Sequence, residues 1–197
     1  MLKNDNAIFR AVLATTDIKQ LQKYRQTMRP PGNVAYIINN LWEWKRPESY
    51  PNRRYSVFAS PSVDRALQSA EKNAIAYKVS IIGNYKMCQL KDIEDSKYHP
   101  DCKKLRKLLF KKLGQQWIDG GLDSKSDAGR LWMPCLRKEE VDALFEKIDV
   151  LKKIRREIYN AITYWDDVLL VKPGEPLSDH KGEIFFEAFD GYRLLPL

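Results

Sequence analysis

The sequence predicts an α+β fold in a single domain spanning residues 1-197. Short runs of β-branched and aromatic residues lie near both ends, and helical spacing of apolar residues is concentrated in the middle. Strand and helix do not alternate in the way that builds a repeating βαβ sheet. With 44% hydrophobic and 30% charged residues over 197 positions, the chain can bury a core without disulfides or metal.

The first residues able to pack are Ile8, Val12 and Leu13, in a segment (6 to 28) whose periodicity fixes neither helix nor strand. Arg29-Pro30-Pro31-Gly32-Asn33 predicts a loop, because two prolines remove donors and Gly32 tolerates positive φ. Val34 to Trp44 is apolar and aromatic; in a strand Trp42 and Trp44 share one face, as core or interface anchors. Lys45 to Arg54, with Pro47 and Pro51, reads as loop.

Tyr55 to Ala59 predicts a half-buried strand. It stops at Ser60, an N-cap candidate before Pro61, and Val63, Ala66, Leu67 and Ala70 predict a helix over 61 to 77. The plain reading is a capped helix packed on a sheet. The functional one is an anion site, because a strand feeding a helix N-terminus offers backbone N–H donors and a positive dipole end.

Lys78 to Gly83 and Asn84 to Leu90 predict a hairpin turning at Gly83-Asn84. Pro100 to Leu113 predicts a helix with Leu105, Leu108, Leu109 and Leu113 on one stripe and Lys103, Lys104, Arg106, Lys107, Lys111 and Lys112 around the rest. That face is either a solvated surface or a contact for a phosphate backbone. Residues 114 to 134 hold four glycines among Asp119, Asp123 and Asp127, without the ligand alternation of a calcium loop, and suit a mobile loop over a site. Arg137 to Tyr164 predicts one long helix or two in succession, then Val168 to Val171 a strand and Pro173-Gly174 a turn. Glu183 to Phe189 and Tyr192 to Leu195 predict a second hairpin across Asp190-Gly191.

Cys88, Cys102 and Cys135 are an odd number with no C-x-x-C, and only His99 and His180 could join them, so no metal site is expected and the thiols read as reduced and structural. The N-terminus lacks a signal-peptide core and no apolar run reaches the roughly 20 residues of a bilayer span. The expectation is a cytoplasmic protein without a membrane partner. Net charge, 34 basic against 26 acidic residues or +8, favours encounter with polyanions. There is no G-x-G-x-x-G, Walker loop, H-E-x-x-H or G-x-S-x-G, and Asp179-His180 has no serine in a nucleophile's context.

Three pieces remain: Tyr24-Arg25, the strand-to-helix junction Ser56-Val57-Phe58-Ala59-Ser60 with Ala66 and Ala70 beyond it, and Gly182-Glu183-Ile184-Phe185-Phe186. In this order the chain resembles the ADP-ribosyltransferase superfamily, which carries an arginine on an early strand after an aromatic, a Ser-, Phe- and Ala-rich strand entering a helix, and a glutamate opening a late apolar strand. The resemblance implies a split antiparallel β core with a central helical insertion, and a mono-ADP-ribosyltransferase taking NAD as substrate. Glu183 is then the catalytic acid, and Arg25, Tyr55, Ser56, Phe58 and Ser60 bind NAD, with Glu187 a rival acid on the same strand face. Lys181 stands where transferases that modify arginine often have a second acid, so the implied acceptor is a nucleic acid or another protein side chain. A bacterial toxin or phage-defence effector with an antitoxin partner is the corresponding setting. Two other readings fit the composition: a non-catalytic nucleic-acid-binding module using Lys103 to Lys112 with Trp42, Trp44 or Tyr55 stacked on bases, and a protein-interaction partner anchored by Leu41 to Trp44.

Overall fold

The structure, a computed structural model, describes residues 7–30, 32–114 and 127–197. It is an α+β fold with two antiparallel sheets and, among the described residues, five α-helices. The chain divides into two compact units. One takes the described residues through Thr27 with Glu48–Ser96 and Asp167–Leu197; the other takes Met28–Pro47 and Lys97–Asp166. The loop expected to lie over a site falls largely in residues 115–126, outside the described residues. No described helix is long and apolar enough to cross a membrane.

The first unit holds every strand among the described residues: β1 (Phe9–Leu13), β2 (Val57–Ala59), β3 (Ala74–Ile81), β4 (Tyr85–Leu90), β5 (Val168–Leu170), β6 (Ile184–Ala188) and β7 (Tyr192–Leu195). They form a three-stranded sheet, β1-β3-β7, and a four-stranded sheet, β2-β6-β4-β5. Phe58 and Cys88 flank Phe185 in register in the larger sheet, and Val79 faces Leu194 in the smaller. Side chains alternate across a strand, so Ala59, Met87, Ile184, Phe186 and Ala188 meet Ile8, Val79 and Leu194 in one core. Phe9 and Ser60 exchange both backbone hydrogen bonds at 2.8 Å and join β1 to β2.

Neither expected hairpin forms. β3 and β4 belong to different sheets, as do β6 and β7. The tight turns at Gly83-Asn84 and Asp190-Gly191 are therefore corners by which the chain leaves one sheet for the other. They are fastened together: the Asp190 carboxylate accepts the Asn84 N–H at 2.7 Å, and the Phe189 N–H donates to the Asn84 carbonyl at 3.0 Å. Gly83 lies at φ 60°, and a Cβ there would come within 2.2 Å of the Asp190 carboxylate. A hairpin would have spent these strands on each other; the corner lets each sheet cover the shared core.

Helix α2 (Val63–Gln68) is six residues, much shorter than the span expected. Its cap is Ser62, whose hydroxyl accepts the Arg65 N–H at 3.4 Å, and Pro61 lies ahead of the cap. The chain turns after Ser69 through Asn73 at φ 67° and enters β3 at Ala74.

The second unit contains α1 (Tyr36–Lys45), α3 (Pro100–Leu113), α4 (Lys138–Lys147) and α5 (Asp149–Ala161). Trp42 and Trp44 sit on a helix, not a strand, and both are buried, Trp42 stacked on Tyr164 at 4.0 Å and Trp44 on Phe145 at 4.7 Å. They are core residues and offer no platform for bases. Asp101, at the start of α3, is fully buried and accepts hydrogen bonds from Trp42 Nε1, Lys104 Nζ, the Thr163 hydroxyl and the Thr163 and Tyr164 N–H groups. Burial pushes its carboxyl up, but these donors and the neighbouring His99 outweigh it and hold it below the usual carboxylate range. None of the three cysteines forms a disulfide among the described residues, and burial raises the Cys88 thiol far above its ordinary value.

Candidate functional site

The candidate site lies within the first unit, on the face of the four-stranded sheet that looks away from its core. Phe58 and Phe185 are opposite each other in the β2–β6 register, with ring centroids 6.2 Å apart. The period of two puts Glu183 and Glu187 on the same face as Phe185, with Ser56 and Ser60 flanking Phe58 at the corresponding positions of β2.

The loop ahead of β2 closes over this face. Asn52 organises it: its side-chain oxygen accepts the Arg54 N–H at 3.0 Å, and its carbonyl accepts the Ser56 N–H and hydroxyl at 3.0 and 2.8 Å. That turn directs Arg53 inward. The Arg53 guanidinium rests 5.0 Å from the Phe58 ring and 5.2 Å from Phe185, and its Nη1 lies 3.1 Å from Glu183 Oε1. Ser96 completes the Glu183 carboxylate, donating its hydroxyl at 2.6 Å and its N–H at 3.1 Å. Arg53 and Glu183 are 3% and 7% exposed, so this is an ion pair buried on an aromatic floor.

Gly182 fixes where Glu183 enters the sheet. A Cβ at Gly182 would lie 1.7 Å from the Leu90 carbonyl oxygen, so only glycine lets β6 approach β4 here. Asp179 shapes the turn before it by accepting the N–H groups of Lys181, Gly182 and Asp92. Burial raises the Asp179 carboxyl, and those donors more than reverse the shift.

Glu187 anchors a second cluster on the same strand face. It accepts the Tyr24 hydroxyl and the Asn52 N–H, each at 2.9 Å. Tyr24 stacks on Tyr55 at 6.1 Å and meets the half-exposed Phe189 at 5.4 Å. Burial first, then the bond and charge of Glu187, raise the Tyr24 phenol well above its ordinary value, so it serves as a hydrogen-bond donor throughout the neutral range.

Of the residues singled out from sequence, Ser56, Phe58 and Glu183 fall into this arrangement, and Tyr55 stacks on Tyr24, the residue bonded to Glu187. Ser60 is buried, but its N–H is committed to the Phe9 carbonyl and it does not cap α2, so the anion cradle expected there is not formed. Arg25 is exposed, outside any strand, and no hydrogen bond or ion pair ties it to the described residues. Phe9-Arg10 is the aromatic-arginine pair that does lie on an early strand. Arg10 Nη1 donates to the Phe58 carbonyl at 2.6 Å, and its buried Nε has no partner among the described residues. Sequence reasoning missed Arg10, Arg53 and Ser96. The Phe9-Arg10 dipeptide and the arginine pair directly before Tyr55 were the available signals.

The chain matches no protein-family model, no curated protein and no solved structure.

Proposed function

We propose that the protein is a mono-ADP-ribosyltransferase that takes NAD as its substrate. The observation that carries the reading is that β2 pairs with β6 and is bridged to β1 at Phe9 and Ser60, with Arg10 Nη1 bonded to the Phe58 carbonyl, which brings Arg10 and Glu183 to the two sides of the Phe58 strand. These are an arginine after an aromatic on an early strand, a Phe-bearing second strand flanked by Ser56 and Ser60, and a glutamate immediately before a late one. The division of the strands between two antiparallel sheets further supports a split-core architecture of the ADP-ribosyltransferase kind.

NAD presents an anionic pyrophosphate, a ribose and a cationic nicotinamide. Arg10, half-buried on β1, supplies the forked cation for phosphate or ribose, the role expectation gave to Arg25. Phe58 and Tyr55 supply aromatic surface. In the reaction the bond between nicotinamide nitrogen and ribose C1′ breaks, its electron pair leaving with nicotinamide. The oxocarbenium-like ribose is captured by an oxygen or nitrogen of the acceptor, which then loses its proton. Glu183 holds the ribose 2′-hydroxyl and stabilises the developing cation. Arg53 and Ser96 are positioning residues that fix the carboxylate. The acceptor is a nucleic acid or a protein side chain, and a toxin or defence effector held by an antitoxin is the setting consistent with it.

The test is label transfer from NAD carrying a labelled adenylate to cellular RNA, single-stranded DNA or lysate protein. Label on one acceptor class, lost in Arg10→Gln and Glu183→Gln proteins of unchanged circular dichroism, is the expected result. No label on any class overturns the reading.

A further inference from the structure

The chain's positive charge is segregated. Met28–Pro47 and Lys97–Asp166 together carry 19 basic against 12 acidic residues, or +7, whereas the β-sheet unit carries 15 against 14, or +1. Within the basic unit the charge is steepest on α3, where Asp101, the lone acid of the helix, is buried.

Lys104 is committed to Asp101 at 2.9 Å and Lys112 to Glu157 at 2.7 Å. Lys103, Arg106, Lys107 and Lys111 are exposed and, among the described residues, pair with no carboxylate. Lys103, Lys107 and Lys111 recur every four residues, so they stand in a row along the helix about 6 Å apart. Like charges at that spacing oppose one another and weaken the helix unless an anion lies along them. Two aromatics accompany the row: Phe110, 47% exposed in the penultimate turn, and Tyr98, 68% exposed just ahead of the helix.

We propose that this face of α3 binds single-stranded nucleic acid, its cations following the phosphates and Phe110 and Tyr98 stacking on bases. Anionic lipid fits less well. The apolar stripe of α3, Leu105 and Leu109, is buried in its own unit, so the exposed face has no apolar side to insert. A duplex would use the cations and leave the aromatics without unstacked bases. The proposal concerns binding and stands whether or not the β-sheet unit turns over NAD.

The experiment is fluorescence anisotropy of the full chain with end-labelled single-stranded RNA and DNA oligonucleotides, the matching duplex, and phosphatidylserine-containing vesicles in a parallel sedimentation arm. Four phosphate contacts on a single strand predict a slope of about −3 in log K against log salt, about a 20-fold loss between 0.1 and 0.3 M. Lys103→Gln/Lys107→Gln/Lys111→Gln should bring the slope to about −0.7 and weaken binding at least about tenfold. Its melting temperature should not fall, because glutamine is a good helix former and the repulsion is relieved. Phe110→Ala should weaken single-strand binding by about fivefold with the slope unchanged. Absence of oligonucleotide binding, an unaltered slope in the triple variant, duplex binding as tight as single-strand binding and indifferent to Phe110→Ala, or vesicle capture in its place would each overturn the proposal.

Discussion

Glu183→Gln removes a carboxylate whose Oε1 faces Arg53 Nη1 at 3.1 Å and the Ser96 hydroxyl at 2.6 Å. The glutamine carbonyl can keep the Ser96 N–H, and the hydroxyl can turn to accept from the new amide. The amide, however, points donors at the Arg53 donor, and the guanidinium loses the charge it faces in a setting 3% exposed. Breaking one partner of a buried ion pair costs about 3 kcal/mol, the lower end of the usual range because Glu183 keeps slight solvent contact. The described tryptophans, Trp42, Trp44, Trp132 and Trp165, all belong to the other unit, so tryptophan fluorescence is a poor reporter of this loss. Hydrogen exchange read by mass spectrometry does: peptides covering β4 and β6 should exchange about 150-fold faster, the equivalent of about 3 kcal/mol. Arg53→Met should cost a similar amount, and the double variant should recover at least about 1.5 kcal/mol of the summed loss. Exchange unchanged within about threefold in Glu183→Gln, or strict additivity in the double variant, would refute the claim that the pair is a structural unit.

Gly182→Ala must displace the Leu90 carbonyl backbone, so it should lower stability by at least about 2 kcal/mol by calorimetry, while Gly32→Ala, with open space around it, should be near neutral. Asp101→Asn should destabilise the tryptophan-bearing unit by about 2 kcal/mol at pH 7, read by fluorescence in urea. The Asp101 carboxyl is held below its unfolded value, so its contribution is present above about pH 4 and is lost as pH falls through the folded value. The gap between the two proteins should therefore close in acid; a gap constant down to pH 2.5 would contradict the sign of the shift.

Helix α3 was legible because Pro100 starts it and its leucine stripe buries one side only. Helix α1 was not, because every residue from Ile37 to Trp44 is buried, Asn39, Asn40 and Glu43 included, so no solvent-facing side separates polar from apolar positions. Turn chemistry marked Gly83-Asn84 and Asp190-Gly191 correctly as tight turns, but a turn does not encode whether the strands beside it pair with each other; the Asp190–Asn84 contact that decides this spans 106 residues. At the site, strand alternation carried Ser56, Phe58 and Glu183. It failed for Arg10, because β1 is half-buried on both faces and its pattern is weak. Arg53 sits among prolines in a loop and reads as solvated, and Tyr24 finds Glu187 across 163 residues, beyond any local signal.

The most direct measurement is nicotinamide release from NAD by the wild-type chain and by Glu183→Gln, each shown to be folded at the assay temperature, with RNA, single-stranded DNA and lysate protein supplied as acceptors. Release by the wild type, slowed at least about a hundredfold in Glu183→Gln, is the predicted outcome. No release by the wild type with any acceptor, or equal rates for the two proteins, would contradict it.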